Sequence, residues 1–154
     1  MQGVCGIRIK RNGEVEKVSI PTDGRFFSAK SLAAHKDRLF FIECCVSITE
    51  VLVIALNVFK LLTSWTVPHY GYFGWQMPLI KNDQLAVGDW SRKLVMIYSL
   101  TGDVIRRVPL PHCLTVKGTV CMSSCGDDSL VISDSEAKWI PSPKSYEIQT
   151  LTVR

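Results

Sequence analysis

Glu43, Asp89 and Asp134 stand about 45 residues apart, each just after a short apolar run: Phe40-Phe41-Ile42, Leu85-Ala86-Val87 and Leu130-Val131-Ile132. Carboxylates carried to one rim by successive copies of a unit are the material of a calcium site, which takes several oxygen ligands. The same residues have a structural use. An Asp at a strand end accepts hydrogen bonds from the backbone of the following turn, and Glu does so less well; this use is the expectation for all three. His35, His69 and His112 also recur. His69 follows Pro68 as His112 follows Pro111, but His35 falls elsewhere in the repeat, so neither a histidine metal site nor a general base is expected. Ser133 and Ser135 flank Asp134 without the Gly-x-Ser-x-Gly elbow of a serine hydrolase. No catalytic residue, metal ligand or cofactor is assigned.

The six cysteines, Cys5, Cys44, Cys45, Cys113, Cys121 and Cys125, form no C-x-x-C pair, which removes the usual zinc spacings. Cys44 and Cys45 point to opposite faces if extended, and Cys121 and Cys125 are separated by roughly 13 Å along a strand, too far for a disulfide. Reduced, buried thiols in a cytoplasmic protein are expected.

Aromatic side chains are the candidates for contact with a partner. Tyr70, Tyr72, Phe73 and Trp75 crowd a glycine-flanked loop, His69-Tyr70-Gly71-Tyr72-Phe73-Gly74-Trp75, and Trp90 follows Asp89. Rigid aromatics on loops make good hot spots for protein partners; the alternative is that they pack between structural units.

The elements that must position these residues follow from a period. Lys36–Glu43, Asn82–Asp89 and Asp127–Asp134 each run turn, apolar strand, acid, and Pro21, Pro68 and Pro111 close a second register of about the same length. A strand-built unit of this size is the period of a four-stranded propeller blade. The runs Leu39–Ile42, Leu85–Val87 and Leu130–Ile132 are apolar on consecutive residues, as in strands buried on both faces. Upstream of them Ser28–Ala34, Gln76–Ile80 and Gly118–Ser124 take the innermost place, where Ala33, Ala34, Ser123 and Ser124 suit a crowded axis. Downstream, Arg11-Asn12-Gly13 joins Val4–Lys10 to Glu14–Ile20, and Leu100-Thr101-Gly102-Asp103 joins Leu94–Ser99 to Val104–Val108; Asn-Gly signals a two-residue hairpin. Leu56-Asn57-Val58 holds that place in the middle copy without glycine, so a wider or strained turn is expected there. Residues 51–62 have near-helical spacing, but their place in the repeat assigns them to strands. A last strand is expected over Ser145–Val153, after the break at Pro141-Ser142-Pro143.

The fold expected is therefore all-β: a propeller arc of about three to four blades of antiparallel four-stranded sheets. Its approximate units are 1–21 as a half blade, 26–68, 72–111 and 118–154. The chain of 154 residues holds about 3.4 such units, whereas closed propellers use 4–8 blades. It reads either as an arc of a larger propeller or as one that closes with another copy, its exposed blade edges inviting self-association and leaving it marginal alone.

Composition excludes little else. With 47% apolar and 21% charged residues the chain is ordinary for a globular protein. The net charge of +4 comes from dispersed pairs such as Lys10-Arg11, Arg92-Lys93 and Arg106-Arg107, not from the clustered basic groove that nucleic acid requires. Glu50, Asn57 and Lys60 interrupt the most apolar window, so no membrane-spanning helix is expected. The first residues lack the basic and apolar regions of a signal peptide.

Val120–Ser135 and the stretch from Gly88-Asp89-Trp90 through Lys93–Tyr98 to Gly102-Asp103-Val104-Ile105 resemble the NHL-repeat class of six-bladed β-propellers, as found at the C-terminus of tripartite-motif proteins. The resemblance departs from the pattern where two copies lack the asparagine and basic residue after the aspartate. It implies a non-catalytic scaffold that recognises a protein through one propeller face. Ligase activity in such proteins belongs to a RING region, whose cysteine pairs this chain lacks. RNA binding by the propeller face and a remnant of a calcium-dependent propeller hydrolase are the alternatives.

Overall fold

In the computed structural model, residues 4–20, 29–44, 48–58, 60–67, 77–80, 83–112, 119–125, 129–135 and 147–152 are described. They form thirteen strands and no helix. Strands β1 (Val4–Ile9) and β2 (Val15–Ile20) pair as a hairpin. Next come β3 (Ala29–His35), β4 (Arg38–Cys44), β5 (Thr49–Ala55) and β6 (Lys60–Val67), hydrogen-bonded in that order as one sheet. A second four-stranded sheet holds β7 (Leu79–Ile80), β8 (Gln84–Asp89), β9 (Leu94–Ser99) and β10 (Val104–Pro109). The last sheet holds β11 (Thr119–Ser124), β12 (Ser129–Ser135) and β13 (Glu147–Thr152). Every pairing is antiparallel and between strands adjacent in the chain. All-β sheets of this meander form, stacked face to face, are the blades expected from the period.

The consecutive apolar runs sort themselves between two cores by the period-2 geometry of a strand. Phe40, Ile42, Val51 and Val53 face Leu85, Val87, Met96 and Tyr98 across the junction of the two four-stranded sheets. Their chain neighbours Phe41, Leu52 and Ile54 are buried on the opposite face. Likewise Ala86, Val95 and Ile97 meet Met122, Leu130 and Ile132 of the last sheet. In a strand enclosed on both sides each large apolar side chain removed from water stabilises the fold by about 1.5–3 kcal/mol, so alternation with polar residues would be costly here. Residues 51–55 are entirely buried and belong to β5, which is a strand and not the start of a helix.

The turns depart from expectation in type. Lys10 N donates to Glu14 O (2.8 Å) and Gly13 N to Lys10 O (2.9 Å), so the loop is the three residues 11–13. Gly13 has φ +83, whereas Asn12 does not enter the positive region and uses its Oδ1 to accept from Glu14 N at 3.0 Å. The device is a turn closed by a glycine bulge, not a two-residue Asn-Gly turn. Residues 100–102 repeat it, with Ser99 N to Asp103 O at 2.9 Å, Gly102 N to Ser99 O at 3.2 Å and Gly102 at φ +97. In the middle copy Ala55 pairs with Lys60, leaving residues 56–59, and the ladder shifts register between Val53 and Ile54. One extra loop residue and a bulge replace the missing glycine.

Candidate binding cleft at the inner edge of the arc

The first strand of each sheet, β3, β7 and β11, lies at the sheet's edge. Between them opens a cleft of about 420 Å³ walled by Leu32, Ala33 and Ala34, by Met77, Pro78 and Leu79, and by Met122, Ser123 and Ser124. The small residues Ala33, Ala34, Ser123 and Ser124, assigned to the axis from sequence, are all in its wall. Met77, Pro78, Leu79 and Met122 were not singled out from sequence, although their place beside the axis follows from the same repeat alignment. Strand β7 is only two residues long because Pro78 has no N–H to give; its carbonyl still accepts from Ala86 N at 3.0 Å.

Neighbouring blades are fastened across the cleft and at its rim. Ser31 Oγ accepts a hydrogen bond from Met77 N at 2.9 Å. At the rim, the β3–β4 turn meets the β7–β8 turn: Asp83 Oδ1 lies 3.0 Å from His35 Nε2, and Asp83 Oδ2 lies 3.5 Å from Lys36 Nζ. The His35 contact is an ion-pair distance without hydrogen-bond alignment. Lys36 and Asp83 both have positive φ, at 54° and 60°, a conformation that Asp tolerates better than Lys. Leu32 stands 61% exposed in the cleft wall.

The residues proposed from sequence are dispersed. Tyr70, Tyr72, Phe73, Trp75 and His69 lie outside the described residues. Trp90 is buried, 7% exposed, in the core between the second four-stranded sheet and the last sheet. It covers Gly88, where a Cβ would fall inside its ring. Glu43 is buried at the end of β4, in register with Ala29 and Glu50. Asp89 is wholly buried at the end of β8, and its Oδ1 accepts from Ser91 Oγ and Arg92 N, both at 3.0 Å. Its Oδ2 lies 4.0 Å from Arg92 Nε and accepts no hydrogen bond. Asp134 pairs in register with Val120 and Glu147; its side chain lies outside the described residues. Among the described residues no three ligand-type side chains converge on a point. His112 is exposed in a turn. Cys121 and Cys125 are free thiols and exposed, which corrects the expectation of buried ones. They belong to the far side and end of β11, where no further sheet covers them among the described residues.

No protein-family model and no curated protein sequence matches the chain. Solved structures do. A virginiamycin B lyase from Staphylococcus aureus, solved as its selenomethionine derivative, superposes with a TM-score of 0.56 at 14% identity, covering 95% of this chain and 47% of that one. The chain has a propeller-like β fold. A protein of unknown function from Bacteroides caccae gives a TM-score of 0.51 at 14% identity, covering 94% of this chain and 52% of its own. The propeller-like chain thus spans about half the length of the solved structures it resembles. Identity this low carries the architecture and not the activity.

Proposed function

We propose that the chain is a non-catalytic recognition module, an NHL-like arc whose inner cleft takes up an extended apolar segment of a protein partner. The observation that carries this is the cleft wall: nine residues from three successive blades, seven of them apolar and two of them serines, with Leu32 61% exposed and the Met77 and Met122 side chains buried in the cores behind the wall. The walls are edge strands, which offer backbone N–H and C=O groups to an extended peptide while the apolar side chains select its residues. No Lys or Arg is in the wall, and single-stranded nucleic acid is held by basic grooves with stacked aromatics, so the cleft favours protein over RNA. In this reading the loop bearing Tyr70, Tyr72, Phe73 and Trp75, which precedes Met77 in the chain, supplies a second contact surface.

Selection of displayed random peptides on the intact chain, counter-selected on Leu32→Asp, tests the reading. Enriched sequences should share spaced apolar residues and lose binding by roughly tenfold or more on the variant, whose substituted position is exposed. Peptides indifferent to Leu32→Asp would remove the cleft from the function. Salt-sensitive capture of labelled single-stranded RNA would replace the protein partner with nucleic acid, and a calcium-dependent rise in melting temperature would reopen the hydrolase reading.

A further inference from the structure

Strand β3 has a partner strand on one side only, and its register decides which backbone groups are left on the other. His35 pairs with Arg38 across the two-residue turn Lys36-Asp37, and such a closing pair exchanges both of its backbone bonds. Hydrogen-bonded and non-hydrogen-bonded pairs then alternate down the ladder. Ala33 therefore turns its N–H and C=O to Phe40 of β4, while Leu32 and Ala34 turn theirs to the opposite edge. That edge borders the cleft, since Leu32, Ala33 and Ala34 form one of its walls. Among the described residues no backbone group is hydrogen-bonded to Leu32 or Ala34 from that side.

The other two walls are poorer templates. In β7 Pro78 has no N–H, its carbonyl accepts from Ala86 N at 3.0 Å, and Met77 N already donates to Ser31 Oγ at 2.9 Å. In β11 Cys125 N donates to Ser129 O at 2.8 Å, so the same alternation turns Met122 and Ser124 to the cleft. A strand added there would lie against Met122, whose side chain is 3% exposed and already in the core. At β3 it would cover Leu32, which is 61% exposed. Removal of apolar surface from water favours the β3 edge.

We infer, on the reading of the cleft as a peptide site, that the partner segment is a strand added antiparallel to the free edge of β3, exchanging backbone bonds with Leu32 and Ala34. The peptide residues facing Leu32 and Ala34 need their N–H groups, so neither is proline. The residue between them lies opposite Ala33 and sends its side chain to the same face as Ala33. Ala33 packs against the core shared with the second four-stranded sheet, and Pro78 and Leu79 of that sheet form the adjoining wall. An apolar side chain is selected at this central place, where Ala33 is small enough to leave it room. A charged one is rejected, because no charged side chain stands in the wall to pair with it.

The peptide enriched on the intact chain, made as the plain sequence and as single N-methyl analogues residue by residue, probes the backbone bonds while leaving every side chain in place. Its affinity for the unsubstituted chain, followed by fluorescence anisotropy, should fall by roughly tenfold or more at a pair of residues spaced one apart. The residue between them should tolerate the methyl group. Hydrogen exchange should slow at the amides of Leu32 and Ala34 when the plain peptide saturates the chain, whereas Ala33, already in the ladder, is protected without it. Ala34→Pro removes the donor from the protein side at an edge position that a strand tolerates. That variant should keep the circular-dichroism spectrum and bind the peptide roughly tenfold or more weakly. A peptide that loses binding on Leu32→Asp but tolerates N-methylation at every residue overturns the added strand and leaves the cleft a site that grips side chains alone. Unchanged exchange at Leu32 and Ala34 in the saturated chain does the same. Failure to enrich any peptide overturns the cleft reading and the added strand together.

Discussion

At the scale of single residues, the repeated acids and aromatics serve the fold. Asp89 places its carboxylate under the β8–β9 turn and accepts from Ser91 Oγ and Arg92 N. That use was legible because turn chemistry is local: an Asp followed by Trp-Ser-Arg has its donors, Ser91 and Arg92, within three residues. The location of Trp90 was not legible. Its burial depends on Gly88, two residues back, leaving a space that only the next sheet encloses. Tyr98 shows the electrostatic side of such burial. Desolvation pushes its phenol up from the ordinary value near 10, the Asp89 carboxylate adds to the rise, and Arg107 partly opposes it. In the unfolded chain the phenol loses its proton first. Stability from this group is therefore complete below about pH 10 and declines as pH rises through the higher folded value. The melting temperature of Tyr98→Phe should fall less steeply above that pH than that of the unsubstituted chain. Parallel alkaline limbs in the two proteins would remove Tyr98 from the account.

At the scale of elements, strands were readable and turns only partly so. Consecutive apolar residues such as Phe40-Phe41-Ile42 mark a strand enclosed on both faces, a pattern that survives without knowledge of the neighbours. The turns at Gly13 and Gly102 showed their glycines in sequence, but the loop length is set by the bond between Lys10 and Glu14, and between Ser99 and Asp103. The two glycines also differ in what surrounds them. Both have positive φ, which costs a non-glycine residue on the order of 1–2 kcal/mol, while Gly102 additionally lies beneath the Trp65 ring. Gly102→Ala should lower the melting temperature clearly more than Gly13→Ala, because the second substitution meets open space. Equal losses in thermal denaturation would contradict the packing of Trp65 on the turn.

At the scale of the whole molecule, stability is graded along the arc. Blades contact their neighbours and little else, so each unit is supported by the faces it shares. Strands β4, β5, β8 and β9 hold the fully buried residues of the central junction, whereas the first hairpin exposes Ile9 and Val15 and the last sheet exposes Cys121 and Ser123. Hydrogen exchange should find the slowest amides in those four strands and faster ones in β1, β2 and β11–β13. Equal protection across all four sheets would show that the arc unfolds as one unit.

The sequence by itself determined the unit: its length, its doubly apolar strands, its glycine-closed turns and the small residues at its axis. These are set by contacts along the chain and by the two-residue alternation of a strand, both of which leave a local pattern. Only the tertiary structure decided that Trp90 is core, that Ser31 holds Met77, that His35 and Lys36 meet Asp83 across a junction, and that Leu32 stands exposed in the inner cleft. Each of these depends on residues from different blades being brought together by stacking, and no spacing within one repeat records that distance.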